Sequence, residues 1–163
     1  MRNIRNIHIK PIYRSHLSLA FASLLLVLSL NVRADHNVHQ DYQGEVIFGY
    51  DTVAYFTMGK AVKGSKEISV EWLGGKWLFA NEKHRKLFLA DQGKYIPQYG
   101  GYCSVDTIFG SHSNPDPKAW RIVDGKLYLF ADKATLNAWG IGNSLTQAAD
   151  TMWEKARAVL LQQ

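Results

Sequence analysis

Cys103 is the single cysteine of the chain, and it ends the stretch Gln98-Tyr99-Gly100-Gly101-Tyr102-Cys103, two glycines packed between two tyrosines. A thiolate attacks carbon or sulfur and grips soft metals, and a helix N-terminus favours it through its dipole and free amides. Gly100 and Gly101 leave backbone room for that placement. A lone cysteine cannot close an internal disulfide. In an oxidising compartment its thiol must therefore be buried, liganded or used. Three readings follow: a small buried hydrophobe, the commonest fate of free cysteine; a metal ligand; or a redox or nucleophilic thiol.

Histidines supply the partners such chemistry needs. His112 stands nine residues after Cys103, in the loop Gly110-Ser111-His112-Ser113-Asn114-Pro115-Asp116-Pro117, which could fold back over the thiol. His84, four residues before Phe88, leans towards the apolar face of a predicted helix; without a metal it is a satisfied, half-buried histidine. Cys103 with His112, joined by His84, makes a nitrogen and sulfur set suited to zinc or copper. Cys103 and His112 also make a nucleophile and its base, but no third orienting group or oxyanion motif is recognisable. His36 and His39 are a weak metal pair inside Asp35–Gln43, a polar stretch that reads as a flexible lead-in. Tyr50, Tyr99 and Tyr102, with Tyr55 and Tyr128, either line an aromatic cleft with hydroxyl anchors or fill the core.

Several elements must position these residues. Asp51 caps a short helix carrying Val53, Ala54, Tyr55 and Phe56. Ile68 to Trp72 alternates at period two, and with Lys76 to Phe79 it forms a hairpin about Gly74-Gly75. Asn81 and Glu82 open a helix that runs towards Asp91. Ser104 to Phe109 reads as helix or irregular chain. Trp120 to Val123 and Lys126 to Phe130 flank Asp124-Gly125, a strong two-residue hairpin signal. Asp132 caps a short helix ended by Gly140, and Ser144 with Gln147 is a capping box for a last helix. That helix carries Leu145, Ala148, Ala149, Met152, Trp153, Ala156 and Leu160 along one face. Two hairpins interleaved with short helices, without βαβ spacing, predict an α+β domain: a small antiparallel sheet covered by short helices and a C-terminal amphipathic helix.

Residues 1–34 read as a secretory signal peptide. Arg2, Arg5, Lys10 and Arg14 precede an apolar run from Leu17 to Leu30, and Val32-Arg33-Ala34 suits a small-residue cleavage site. The run is shorter than the roughly 20 residues that cross a bilayer, and no cysteine follows for a lipid anchor. The expected product is an exported, periplasmic or secreted protein with a lead-in over 35–43, a domain over 44–163, and no stable membrane insertion after cleavage. The segment carries five of the 19 basic residues and none of the 14 acidic ones, so the remainder is neutral. The sequence pI near 9.3 thus gives no ground for nucleic-acid binding. Lys60, Lys63 and Lys66 are interrupted by Gly59 and Gly64 and read as a solvated turn.

Four motifs in order, Gly49 to Phe56, Trp77 to Ala80, Tyr95 to Cys103 and Val123 to Leu129, resemble the exported YHS domain family over about residues 44 to 140. The resemblance implies a small single-domain exported protein and gives weight to the Tyr99 to Cys103 stretch. The wider YHS and TRASH-like group is associated with metal handling through one cysteine after the second hairpin strand and another four positions later. Ala80 and His84 hold those places here, so that thiolate pair is not carried over. The expectation is a YHS-like module that binds copper, zinc or a small ligand near Cys103, more a binder than an enzyme. Its alternatives are a thiol-dependent redox protein or enzyme using Cys103 with His112, and a structural or partner-binding module whose protein partners the sequence does not name.

Overall fold

The computed structural model describes residues 38–139 and 144–162, so the segment read as a signal peptide, Gly140 and the Ser144 side chain of the capping box lie outside the described residues. The fold is α+β. In chain order its elements are α1 (Thr52–Met58), β1 (Ser65–Trp72), β2 (Gly75–Phe79), α2 (Glu82–Ala90), α3 (Gln92–Tyr95), α4 (Ser104–Ile108), β3 (Asp116–Val123), β4 (Lys126–Phe130), α5 (Lys133–Ala138) and α6 (Ser144–Leu160). Two tight turns of 3-10 type, Ile47–Gly49 and Gln98–Gly101, complete the list of described elements.

Local chemistry sets most of the boundaries. The Asp51 carboxylate accepts from the amides of Val53 and Ala54 and so opens α1, which Gly59 closes at φ 60°. Asn81 accepts from His84 N to start α2, and Asp132 accepts from Thr135 N to start α5. In the second hairpin Asp124 and Gly125 take φ of 50° and 73°, the twist that matches paired strands. The first hairpin differs from expectation by one residue. Its turn is Leu73-Gly74, at φ 50° and 74°, and Gly75 is already strand. A side chain on Gly75 would start 2.5 Å from Val46 Cγ2, so this glycine serves close packing and not the turn.

The two hairpins are separate two-stranded antiparallel sheets, β1 with β2 and β3 with β4. Each has a register shift near its open end, between Ser65 and Ser69 and between Asp116 and Trp120. The core is divided by β4. Leu127 and Leu129 join a cluster with Val53, Tyr55, Trp77, Phe79 and Phe88, while Tyr128 and Phe130 join a second with Tyr99, Ala119 and Trp139. Alternate side chains of one strand point to opposite faces, so β4, buried on both, separates two apolar clusters.

Helix α6 packs by an edge of its apolar arc. Ala149 and Trp153 are half-buried and Leu160 is buried, but Ala148 and Ala156 are exposed and Met152 is 74% exposed. The expected single apolar face is therefore covered on one side only. The inward edge also carries a carboxylate: Asp150 accepts from the hydroxyls of Tyr99 at 2.6 Å and Tyr128 at 2.9 Å. Polar anchors, with Arg157 Nη2 donating to the Gly93 carbonyl, decide which side turns in.

Candidate functional site

The stretch expected to be a flexible lead-in is packed into the domain from Val38 onward. Val38 is fully buried and His39 is 1% exposed. The His39 amide donates to the Gly100 carbonyl at 2.7 Å, and its ring packs against Phe48 at 4.8 Å and Tyr102 at 5.4 Å. Two left-handed turns frame it. Ile47, Phe48 and Gly49 have φ of 50°, 54° and 73°, and Tyr99, Gly100 and Gly101 have φ of 53°, 66° and 87°. For a β-branched residue such as Ile47 that conformation is a true outlier. At Gly100 and Gly101 the sequence supplies the residue that bears it without cost.

The loop after Cys103 folds back, as its composition allowed. The Cys103 amide donates to the Ser113 carbonyl at 3.0 Å, which brings His112 edge-on to the Tyr102 ring at 5.1 Å. Asn114 Oδ1 meets His39 Nε2 at 3.1 Å. His39, Tyr102, His112 and Asn114 thus form one cluster, joined from three separate segments, with exposed His112 and half-buried Tyr102 facing outward. The sequence signal for His39 was its spacing from His36, which lies outside the described residues, and position in a polar stretch argued against it.

Cys103 itself is sealed. It is fully buried, pairs with Leu129 of β4 through a parallel bridge, and precedes α4. Burial pushes its thiol above the ordinary range, outweighing the amides of Asp106, Ala131 and Val105 that favour a charged sulfur. The helix start is present as anticipated, yet desolvation wins over it. The sulfur is a thiol in the core, one residue behind the exposed edge of the cluster.

His84 is engaged elsewhere, with both ring nitrogens bonded. Nδ1 lies 2.6 Å from Asp51 Oδ2 and Nε2 lies 3.1 Å from Thr57 Oγ1. Asp51, fully buried, also accepts from Val53 N, Ala54 N and Ala80 N, and as an acceptor of three amides it takes Nδ1 as a fourth donor. Nothing local to His84 signals this orienting group, which lies 33 residues away. Thr57, His84 and Asp51 have the order of a nucleophile, base and orienter. The Thr57 hydroxyl has one hydrogen for two acceptors, His84 Nε2 at 3.1 Å and the Val53 carbonyl at 3.0 Å. The last turn of α1 also presents carbonyls and not amides. The trio therefore lacks oxyanion donors, and its bonds clip α1 to α2.

The remaining named tyrosines are dispersed. Tyr50 lies under the Lys63 ammonium at 4.8 Å, Tyr99 is held by Asp150, and Tyr55 donates to the Pro117 carbonyl at 2.9 Å. Among the described residues no three His, Cys, Asp or Glu side chains converge as a metal-holding group. None of the described helices is long and apolar enough to cross a membrane. Compared with known proteins, the chain matches no family model, no curated protein and no solved structure.

Proposed function

We propose that the protein is an exported YHS-like module that binds a metal ion or small ligand at the surface beside Cys103, without catalysis. The observation that carries the reading is the bond from Cys103 N to Ser113 O, which folds the 110–115 loop over the stretch that the YHS resemblance stresses. It gathers two imidazoles, a phenol and a carboxamide there. Polar groups converging on an aromatic wall are the usual make-up of a recognition surface. A reading without thiol catalysis is supported by the burial of Cys103, which raises its thiol, because a thiol nucleophile needs the thiolate and access. Copper and zinc are the ions such groups suit.

The test is an amide NMR titration of the full chain with zinc(II) and with a panel of small-molecule fragments. Shifts centred on Tyr102, Cys103 and Ser113 are the expected result. Shifts confined to other regions, or none with any probe, overturn the reading and leave a structural or partner-binding module.

A further inference from the structure

We propose that Thr57 is a covalent modification site, an acyl acceptor for activated carboxylic esters, with His84 as the base that takes its proton and Asp51 positioning that base. None of the three belongs to the cluster on Tyr102, so the inference stands apart from the binding reading above.

Three bonded side chains set the geometry. Asp51 Oδ2 lies 2.6 Å from His84 Nδ1, and His84 Nε2 lies 3.1 Å from Thr57 Oγ1. Because Asp51 also accepts three backbone amides, it holds the imidazole in one orientation with the Nδ1 hydrogen on the carboxylate. In the neutral ring Nε2 then carries the lone pair, directed at the hydroxyl. Burial follows the same order. Asp51 is 0% and His84 5% exposed, whereas Thr57 is exposed. A hydroxyl open to solvent, backed by a base and its orienter, is what a reagent arriving from solution needs. The end of α1 is open too, since a side chain on Gly59 would start with no atom within 4 Å.

The step balances within these groups. Thr57 Oγ1 attacks the carbonyl carbon of the ester, and its hydrogen, shared between Nε2 and the Val53 carbonyl, passes to Nε2. The bond from that carbon to the leaving oxygen breaks; the leaving group departs with the electron pair and takes the proton from Nε2. An acylated threonine, a free alcohol and the original imidazole result. The last turn of α1 presents carbonyls and not amides, so no helix amide stabilises the oxyanion. Only an ester with a good leaving group therefore reacts, and the threonine ester formed lacks one. The site is loaded once and does not turn over, which agrees with a protein that is no hydrolase.

The test treats the full chain with p-nitrophenyl acetate at neutral pH and maps acetyl groups by peptide mass spectrometry. Acetylation of Thr57 is expected, reversed by hydroxylamine as an ester is and a lysine amide is not. Thr151 is the internal control. It is exposed and bonds the Gln147 carbonyl at 3.0 Å as Thr57 bonds that of Val53, but no described histidine meets its hydroxyl, so it should stay unmodified. Thr57→Ser should keep the adduct. His84→Gln should slow acetylation at Thr57 about 100-fold or more, with circular dichroism reporting the fold. No acetyl on Thr57 in wild type, equal rates at Thr57 and Thr151, or an equal rate at Thr57 in folded His84→Gln overturns the inference. The comparison with Thr151 decides it even if that variant unfolds, and none of these results bears on the surface at Tyr102.

Discussion

At the scale of single residues, the carboxylate of Asp51 holds more structure together than any candidate ligand does. It accepts from the amides of Val53, Ala54 and Ala80 and from His84, and it is fully buried. Removing it strands three donors and an imidazole in the core, so Asp51→Ala should cost about 3–5 kcal/mol. Thr57→Val removes one exposed hydroxyl and should cost under about 1 kcal/mol. Urea unfolding followed by tryptophan fluorescence measures both, and equal losses would sink the clip described for this trio. Cys103 makes an opposite prediction, of silence. Its thiol is buried and raised, so native protein at pH 8 should resist alkylation and denatured protein should react at once. Fast labelling of the native chain would restore the thiol-enzyme reading.

At the scale of elements, α6 shows what one carboxylate does for a helix with a half-covered apolar arc. Its inward edge is defined by Asp150, which receives the Tyr99 and Tyr128 hydroxyls, and by the ion pair of Glu154 with Lys126 at 3.0 Å. The surface pair contributes little, so Asp150 is the anchor. Asp150→Ala leaves two phenol donors without acceptors and should cost about 1–3 kcal/mol, with loss of amide-exchange protection confined to α6. Unchanged protection there would show that Trp153 and Leu160 hold the helix alone. Elements that depend on near neighbours in sequence were legible: the caps at Asp51, Asn81 and Asp132, and the Asp124-Gly125 turn. What depended on distant partners was not. Asp51 with His84, Asp150 with Tyr99, and His39 with Asn114 join residues 33, 51 and 75 apart, and no local propensity encodes them. The exposed half of α6 was not legible for the same reason, since periodicity gives the width of an apolar arc but not which edge is covered. The site was half legible: a loop after Cys103 able to fold back followed from its composition, whereas the packing of His112 on Tyr102 and the burial of His39 did not.

At the scale of the molecule, β4 divides the core, and buried tyrosines on its two sides set an alkaline limit to stability. Tyr55 belongs to one cluster and Tyr99 and Tyr128 to the other. All three are pushed well above the ordinary value of 10, first by burial; for Tyr99 and Tyr128 the Asp150 bond adds to it. Cys103 is likewise raised from 9.0. These groups stay protonated in the folded chain and ionise in the unfolded one. The stability they contribute is therefore complete below their ordinary pKa values and is lost as pH rises towards the folded ones. Unfolding free energy should be insensitive to them through neutral pH, begin to fall above pH 9 through Cys103, and fall faster above 10. Each group adds at most about 1.4 kcal/mol per pH unit. Urea unfolding from pH 7 to 11 at constant ionic strength measures the curve. Tyr55→Phe and Tyr128→Phe should each make the steep limb shallower by one group's share, and because both clusters share β4, a single transition should persist in each variant. If Tyr128→Phe splits the transition in two while Tyr55→Phe does not, the clusters unfold separately and β4 does not unite them.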